Sequence, residues 1–225
     1  MNNRYFNKIR FLIVKKLFKL ISLIWFFYVT QAVAHPHAFI TMKSKPLVKD
    51  QQLTGFTLEL LLDEMSSSSI LYDLKNSNND KVARQKLVDE VIENIINEHY
   101  FSYAYDKQGK KIKFKRQPQN YGMKENGMQV LYYFDFLLAK PQPLKDNRVE
   151  LLTYDKTYYV SMMYDQTNGE TVDFSALPQN CQGTVIEPNY DEKIQEYAAS
   201  LDRSQRNVDS SLGIIFAQKV NIDCK

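Results

Sequence analysis

Glycine, histidine, cysteine and tryptophan are all scarce in this chain of 225 residues, with seven, three, two and one respectively. Each shortage removes a class of function. So few glycines leave no Gly-rich phosphate loop, and neither GxGxxG nor GxSxG occurs, so dinucleotide binding and a nucleophile elbow have no sequence basis. HExxH is absent as well. Two cysteines without CxxC spacing lack the usual motif of a thiolate zinc centre. No run after residue 34 approaches the roughly 20 apolar residues of a membrane span. There is no Pro/Gly-rich linker and no internal repeat, so the bulk of the chain reads as one domain.

The first 34 residues have the three-part form of a secretory signal. Arg4, Lys8, Arg10, Lys15, Lys16 and Lys19 make a basic region, Leu20 to Val29 is apolar apart from one Ser, and Ala32-Val33-Ala34 is a small-residue cleavage site. The alternative is an uncleaved signal anchor. The expected product is a periplasmic protein of residues 35–225 cut after Ala34. No cysteine follows the apolar run, so a lipoprotein anchor is not indicated.

Cleavage reverses the sign of the charge. The whole chain carries 29 Lys+Arg against 26 Asp+Glu. Removing the six basic residues of the signal leaves 23 against 26, a net of −3. Nucleic-acid binding needs a clustered basic face. The densest group (Lys107, Lys110, Lys111, Lys113, Lys115, Arg116) reads as a hairpin with solvated lysines, so no nucleic-acid partner is expected.

Export also assigns the cysteines. In an oxidising compartment Cys181 and Cys224 are expected to form a disulfide, tying the last strand to one that starts near Cys181. Two thiolate metal ligands are the rival reading, without a nearby histidine to support it.

The mature chain would begin His35-Pro36-His37, which places two of the three histidines at a new N-terminus. The α-amine and the two imidazoles offer lone pairs near neutral pH, with ordinary pKa values of about 7.7–8.0 and 6.5. Such a nitrogen set suits zinc, copper or nickel rather than calcium or magnesium. Pro36 has no N–H to deprotonate, which blocks the square-planar amide site often built on a third-position histidine. An ordinary mobile terminus is the bland alternative.

Three more residues are candidate ligands. His99 follows a long helical stretch and either completes a three-histidine site or complements the helix dipole. Asp63 and Glu64 end an apolar strand. They either coordinate metal or support an imidazole, or they cap the following helix. Asp155 with Tyr158 and Tyr159 reads first as a turn.

Hydrophobic periodicity outlines the elements. Strands are expected over 38–48 and 53–62, joined by a turn at 49–52. Helices are expected over 65–74 and 80–98, the second with a stripe of Val82, Leu87, Val88, Val91, Ile92, Ile95 and Ile96. A hairpin over 100–115 turns at Asp106-Lys107-Gln108-Gly109. Strands follow at 128–139, at 148–154 and 158–164 around Asp155-Lys156, and at 184–187. A helix over 190–201 and a strand over 212–220 complete the chain. The sum is an α+β fold, a mainly antiparallel, sandwich-like sheet with two or three helices packed on it.

Four stretches resemble, in order, a bacterial family of periplasmic proteins of unknown function. They are His35-Pro36-His37-Ala38-Phe39-Ile40, Leu62-Asp63-Glu64-Met65, Tyr154-Asp155-Lys156-Thr157-Tyr158-Tyr159-Val160 and Asn180-Cys181. The departures are Leu62 for an aromatic residue, Lys156 for a frequent proline and Asn180 for glycine. That family is commonly described as the periplasmic component of an uncharacterised ABC-type transport system. The resemblance implies an inner-membrane permease of the nickel/cobalt–zinc type as partner. It therefore implies a non-enzymatic metal-binding accessory, with zinc before nickel or copper. A copper-dependent oxidative enzyme with an N-terminal histidine chelate, and a structural or assembly protein without metal, are the other two classes in play.

Overall fold

The structure is a computed structural model that describes residues 36–168, 171–200 and 211–225. The expected signal segment and His35 lie outside the described residues. The described residues form one compact unit.

Ten strands and four α-helices occur among the described residues. They follow as β1 (Ala38–Lys49), β2 (Gln52–Leu62), α1 (Glu64–Asn76), α2 (Lys81–Asn97), β3 (Ser102–Asp106), β4 (Lys111–Ile112), β5 (Gln119–Asn126) and β6 (Gln129–Pro143). Then come β7 (Arg148–Thr153), β8 (Val160–Tyr164), β9 (Cys181–Ile186), α3 (Glu192–Ser200), α4 (Leu212–Ile215) and β10 (Lys219–Cys224). One sheet has the order β5-β6-β2-β1-β8 and the other β4-β3-β7-β10-β9. All neighbouring strands run antiparallel except β1 and β8, which are parallel. The expected α+β sandwich is the fold.

Alternation decides which face of each strand is inside. On β6, Val130, Tyr132, Phe134, Phe136 and Leu138 are buried and their neighbours are not. On β2, Leu58 and Leu60 do the same. These side chains meet Ala104, Val149, Leu151, Val220 and Ile222 of the second sheet in one core. Each buried large apolar side chain contributes about 1.5–3 kcal/mol. An aromatic knot sits within it, with the Phe136 ring 5.3 Å from Tyr100, 5.0 Å from Phe114 and 5.7 Å from Phe56.

The two long helices start where carboxylates cap them. Asp63 accepts the Ser66 N–H at 2.7 Å, and Asp80 accepts the Val82 N–H at 2.8 Å. Both satisfy donors that the first helical turn leaves without partners. α1 is fixed to β6 by the Val130 N–H, which donates to Ser67 Oγ at 2.9 Å. α2 buries Val88, Ile92 and Ile95, whereas Val82 is 79% exposed and stands outside the stripe.

The structure adds to or corrects the sequence reading at three points. β7 and β8 flank Asp155-Lys156 as expected and lie in different sheets, so that segment is a crossover between them. Residues Leu212–Ile215 are one helical turn, and the last strand begins only at Lys219. β5 has no counterpart in the sequence reading. Its segment, Gln-Asn-Tyr-Gly-Met-Lys-Glu-Asn, is polar, and its strand form comes from pairing with β6.

Cys181 and Cys224 form the expected disulfide and are directly opposite each other on β9 and β10. Asn180 and Lys225 exchange further bonds beside it, which pins the C-terminus.

Candidate functional site

The parallel pairing of β1 with β8 creates the site. Ala38 lies opposite Val160, so the residue before each strand also comes alongside the other. The His37 N–H donates to the Tyr159 carbonyl at 2.9 Å. The two rings pack at 4.8 Å between centroids, tilted by 40°. His37 is exposed, so its imidazole stands at the open end of the sheet on an anchored backbone.

Asp63 anchors the same point from the other side. Its Oδ2 accepts the Phe39 N–H at 2.7 Å and the Ser66 hydroxyl at 2.9 Å. The Asp63 N–H in turn donates to the Phe39 carbonyl at 3.0 Å. Burial pushes this carboxyl up, but the donors from Phe39, Ser66 and Met65 outweigh it. Its pKa therefore lies below the ordinary carboxylate value. With both oxygens engaged by main-chain and hydroxyl donors, Asp63 is a clamp that holds the start of β1. Glu64 is exposed in the first turn of α1, where an acid complements the helix dipole.

Asp155 builds the third wall. It closes its own turn by accepting the Thr157 N–H at 3.1 Å, the Thr157 hydroxyl at 3.0 Å and the Val160 N–H at 3.0 Å. This bend puts Tyr158 in the left-handed region, at φ 57°. The Tyr158 ring stacks on Phe216, with 4.2 Å between centroids. Burial raises the Tyr158 pKa, so the phenol stays neutral at physiological pH. Gly213 supports the turn from beneath, its N–H donating to the Lys156 carbonyl at 3.0 Å. A Cβ at residue 213 would stand 1.8 Å from the Asp155 carbonyl oxygen, so only glycine fits.

Three separated stretches thus meet at one end of the first sheet: His37 to Phe39, Asp63 to Met65, and Tyr154 to Val160. Spacing in the sequence gives no hint of this. Tyr159 and Gly213 were not among the candidate site residues. The exchange of partners between β1 and β8 would have revealed the first, and nothing in the sequence reveals the second.

His99 is placed elsewhere. It opens a turn in which His99, Tyr100 and Phe101 all have positive φ, at 53°, 59° and 52°. It lines a cavity beside Lys115 and Arg116. Among the described residues, no three His, Cys, Asp or Glu side chains are grouped so that they could hold one metal ion. His37, Asp63, Glu64 and His99 therefore do not converge on one ion, and His35 lies outside the described residues. The exposed His37 imidazole is a nitrogen donor at this end of the sheet.

The family match spans residues 20–224, to a family described as "Protein of unknown function (DUF1007)". A relative from Haemophilus influenzae, described as an uncharacterized protein, is 54% identical over 193 residues, covering 86% of this chain and 92% of its own. No solved structure matches. The chain belongs to the DUF1007 family.

Proposed function

We propose that this protein is a periplasmic accessory of a transition-metal transport system. It binds the ion through the mature N-terminal His35-Pro36-His37 and passes it to an inner-membrane permease. Zinc is the first choice of ion, with nickel or copper next. The observation that carries this reading is the double anchoring of the residues just after His35-Pro36. His37 bonds to Tyr159 and Phe39 bonds to Asp63, so the His37 imidazole rises from an anchored sheet end. Anchoring lowers the ordering cost of binding. The disulfide fits an oxidising compartment.

The site is exposed and lies on one compact unit, with no second lobe among the described residues to close over it. Such a site suits moderate affinity and rapid transfer, as a relay to a permease requires. Asp63 and Asp155 act in this scheme by holding backbone, not by binding the ion.

The test is calorimetric titration of mature protein starting at His35 with zinc, nickel and copper, beside a His35→Ala/His37→Ala variant. Zinc or nickel binding that is lost in the variant supports the accessory. Copper binding far tighter than both moves the assignment to the copper-enzyme class. No binding by either protein overturns the metal reading.

A further inference from the structure

A second site is built around the strained turn after α2. The cavity there has a volume of about 510 Å³, within the roughly 300–1,000 Å³ of small-ligand pockets. Ile96, Ile112 and Phe114 give it an apolar lining, and Lys113, Lys115 and Arg116 line it as cations. No Asp or Glu lines it among the described residues. Those three cations form no ion pair among the described residues. Lys111 is different, since its ammonium sits 5.0 Å from the centre of the Tyr103 ring. The mature chain is net acidic, so a cationic apolar cavity is a local reversal of the overall charge.

The wall that carries the cations is held in place. The Lys115 N–H donates to the Leu137 carbonyl at 2.7 Å, and the Ala139 N–H donates to the Lys113 carbonyl at 2.7 Å. From inside, the Tyr100 hydroxyl reaches the Lys115 and Arg116 carbonyls, at 3.0 and 2.7 Å. Burial pushes the Tyr100 phenol up to about 12, so it remains a donor at any ordinary pH. Three successive non-glycine residues with left-handed backbone, His99 to Phe101, aim Tyr100 into this position. Such residues are strained and persist where the surroundings hold them. The strain shapes the cavity mouth, where His99 stands.

We propose that this cavity binds an organic anion with a short apolar body, of the medium-chain carboxylate class. The cations would hold the acid group and the Ile96–Ile112–Phe114 lining would take the chain. This inference is independent of the metal reading.

The test uses mature, disulfide-bonded protein and three probes followed by amide NMR: sodium octanoate, octan-1-ol and inorganic phosphate. Octanoate is expected to bind saturably and to shift the amides of Ile96, Ile112 and Phe114. Octanol lacks the charge and phosphate lacks the chain, so each is expected to bind at least about ten-fold more weakly. Lys113→Gln with Arg116→Gln should weaken octanoate by a similar factor without moving the melting temperature. Asn97→Trp, an exposed substitution at the cavity mouth, should block octanoate while leaving the fold intact. Three results overturn the proposal: octanol binding as well as octanoate, phosphate displacing octanoate at equal concentration, or no saturable octanoate binding in the millimolar range.

Discussion

Replacing Asp63 by alanine removes two supports at once. The helix loses its N-cap, which typically costs about 1 kcal/mol. The Phe39 N–H loses a charged acceptor, and since Asp63 is only half-buried the smaller end of the range applies, about 1 kcal/mol. The expected loss is therefore about 2 kcal/mol, or about 4–8 °C in melting temperature for a domain of this size. Asp63→Asn keeps one acceptor oxygen, enough for the Ser66 cap but not also for the Phe39 N–H that the second oxygen serves, and should lose about half as much. The pH dependence is signed. The folded carboxyl has a lowered pKa, so its stabilising effect is fully present above the unfolded value of about 3.9 and fades as pH falls through the lower folded value. The gap between wild type and Asp63→Asn should close there. Thermal melts by circular dichroism between pH 7 and pH 3 read all of this. An Asp63→Ala melt within about 1 °C of wild type at pH 7 would refute the clamp.

Three other outcomes follow from the same geometry. Gly213→Ala forces a Cβ against the Asp155 carbonyl and should disorder the turn at residues 155–160, seen as amide shifts at Tyr159 and His37; an unchanged spectrum would contradict the packing. Replacing Cys181 and Cys224 together by alanine opens a loop of 43 residues and should cost about 2–4 kcal/mol in denaturant unfolding. Zinc affinity should fall steeply as pH drops below about 6, because ligating imidazoles must be neutral. A flat pH profile would argue against histidine ligation.

The fold was legible wherever side chains alternate on a half-buried face. β1, β2 and β6 show their alternation plainly, and α2 shows its helical stripe. β5 was invisible because Gln119 to Asn126 carries no apolar pattern of its own, and β6 supplies its register. The strands around Asp155-Lys156 were legible, but local spacing cannot tell pairing within a sheet from passage between two sheets, and β7 and β8 lie in different sheets. Leu212 to Phe216 is apolar enough for a strand. It folds instead as one helical turn, packing Leu212 and Phe216 against Ala198, Ile194 and Tyr158. The site was half legible. His37, Asp63 and Asp155 stood out by residue type, but their meeting depends on a parallel pairing 122 residues apart in register, Ala38 with Val160. Of the two readings of Asp63, the helix cap is the one the structure shows, and the second bond, to Phe39, depends on the return of β1 beside β2. The basic stretch from Lys107 to Arg116 is the expected hairpin with exposed basic side chains, but the bonds of its carbonyls to Tyr100 are long-range contacts that no local pattern announces.

The most direct test of the central claim compares two forms of the mature protein, one beginning at His35 and one carrying a single added glycine before it. The addition leaves both imidazoles in place and moves the α-amine out of the His35 chelate. Zinc titration should show clearly weaker binding by the extended form, and none by the His35→Ala/His37→Ala variant. Equal zinc affinity in all three proteins would contradict a site built on the mature N-terminus.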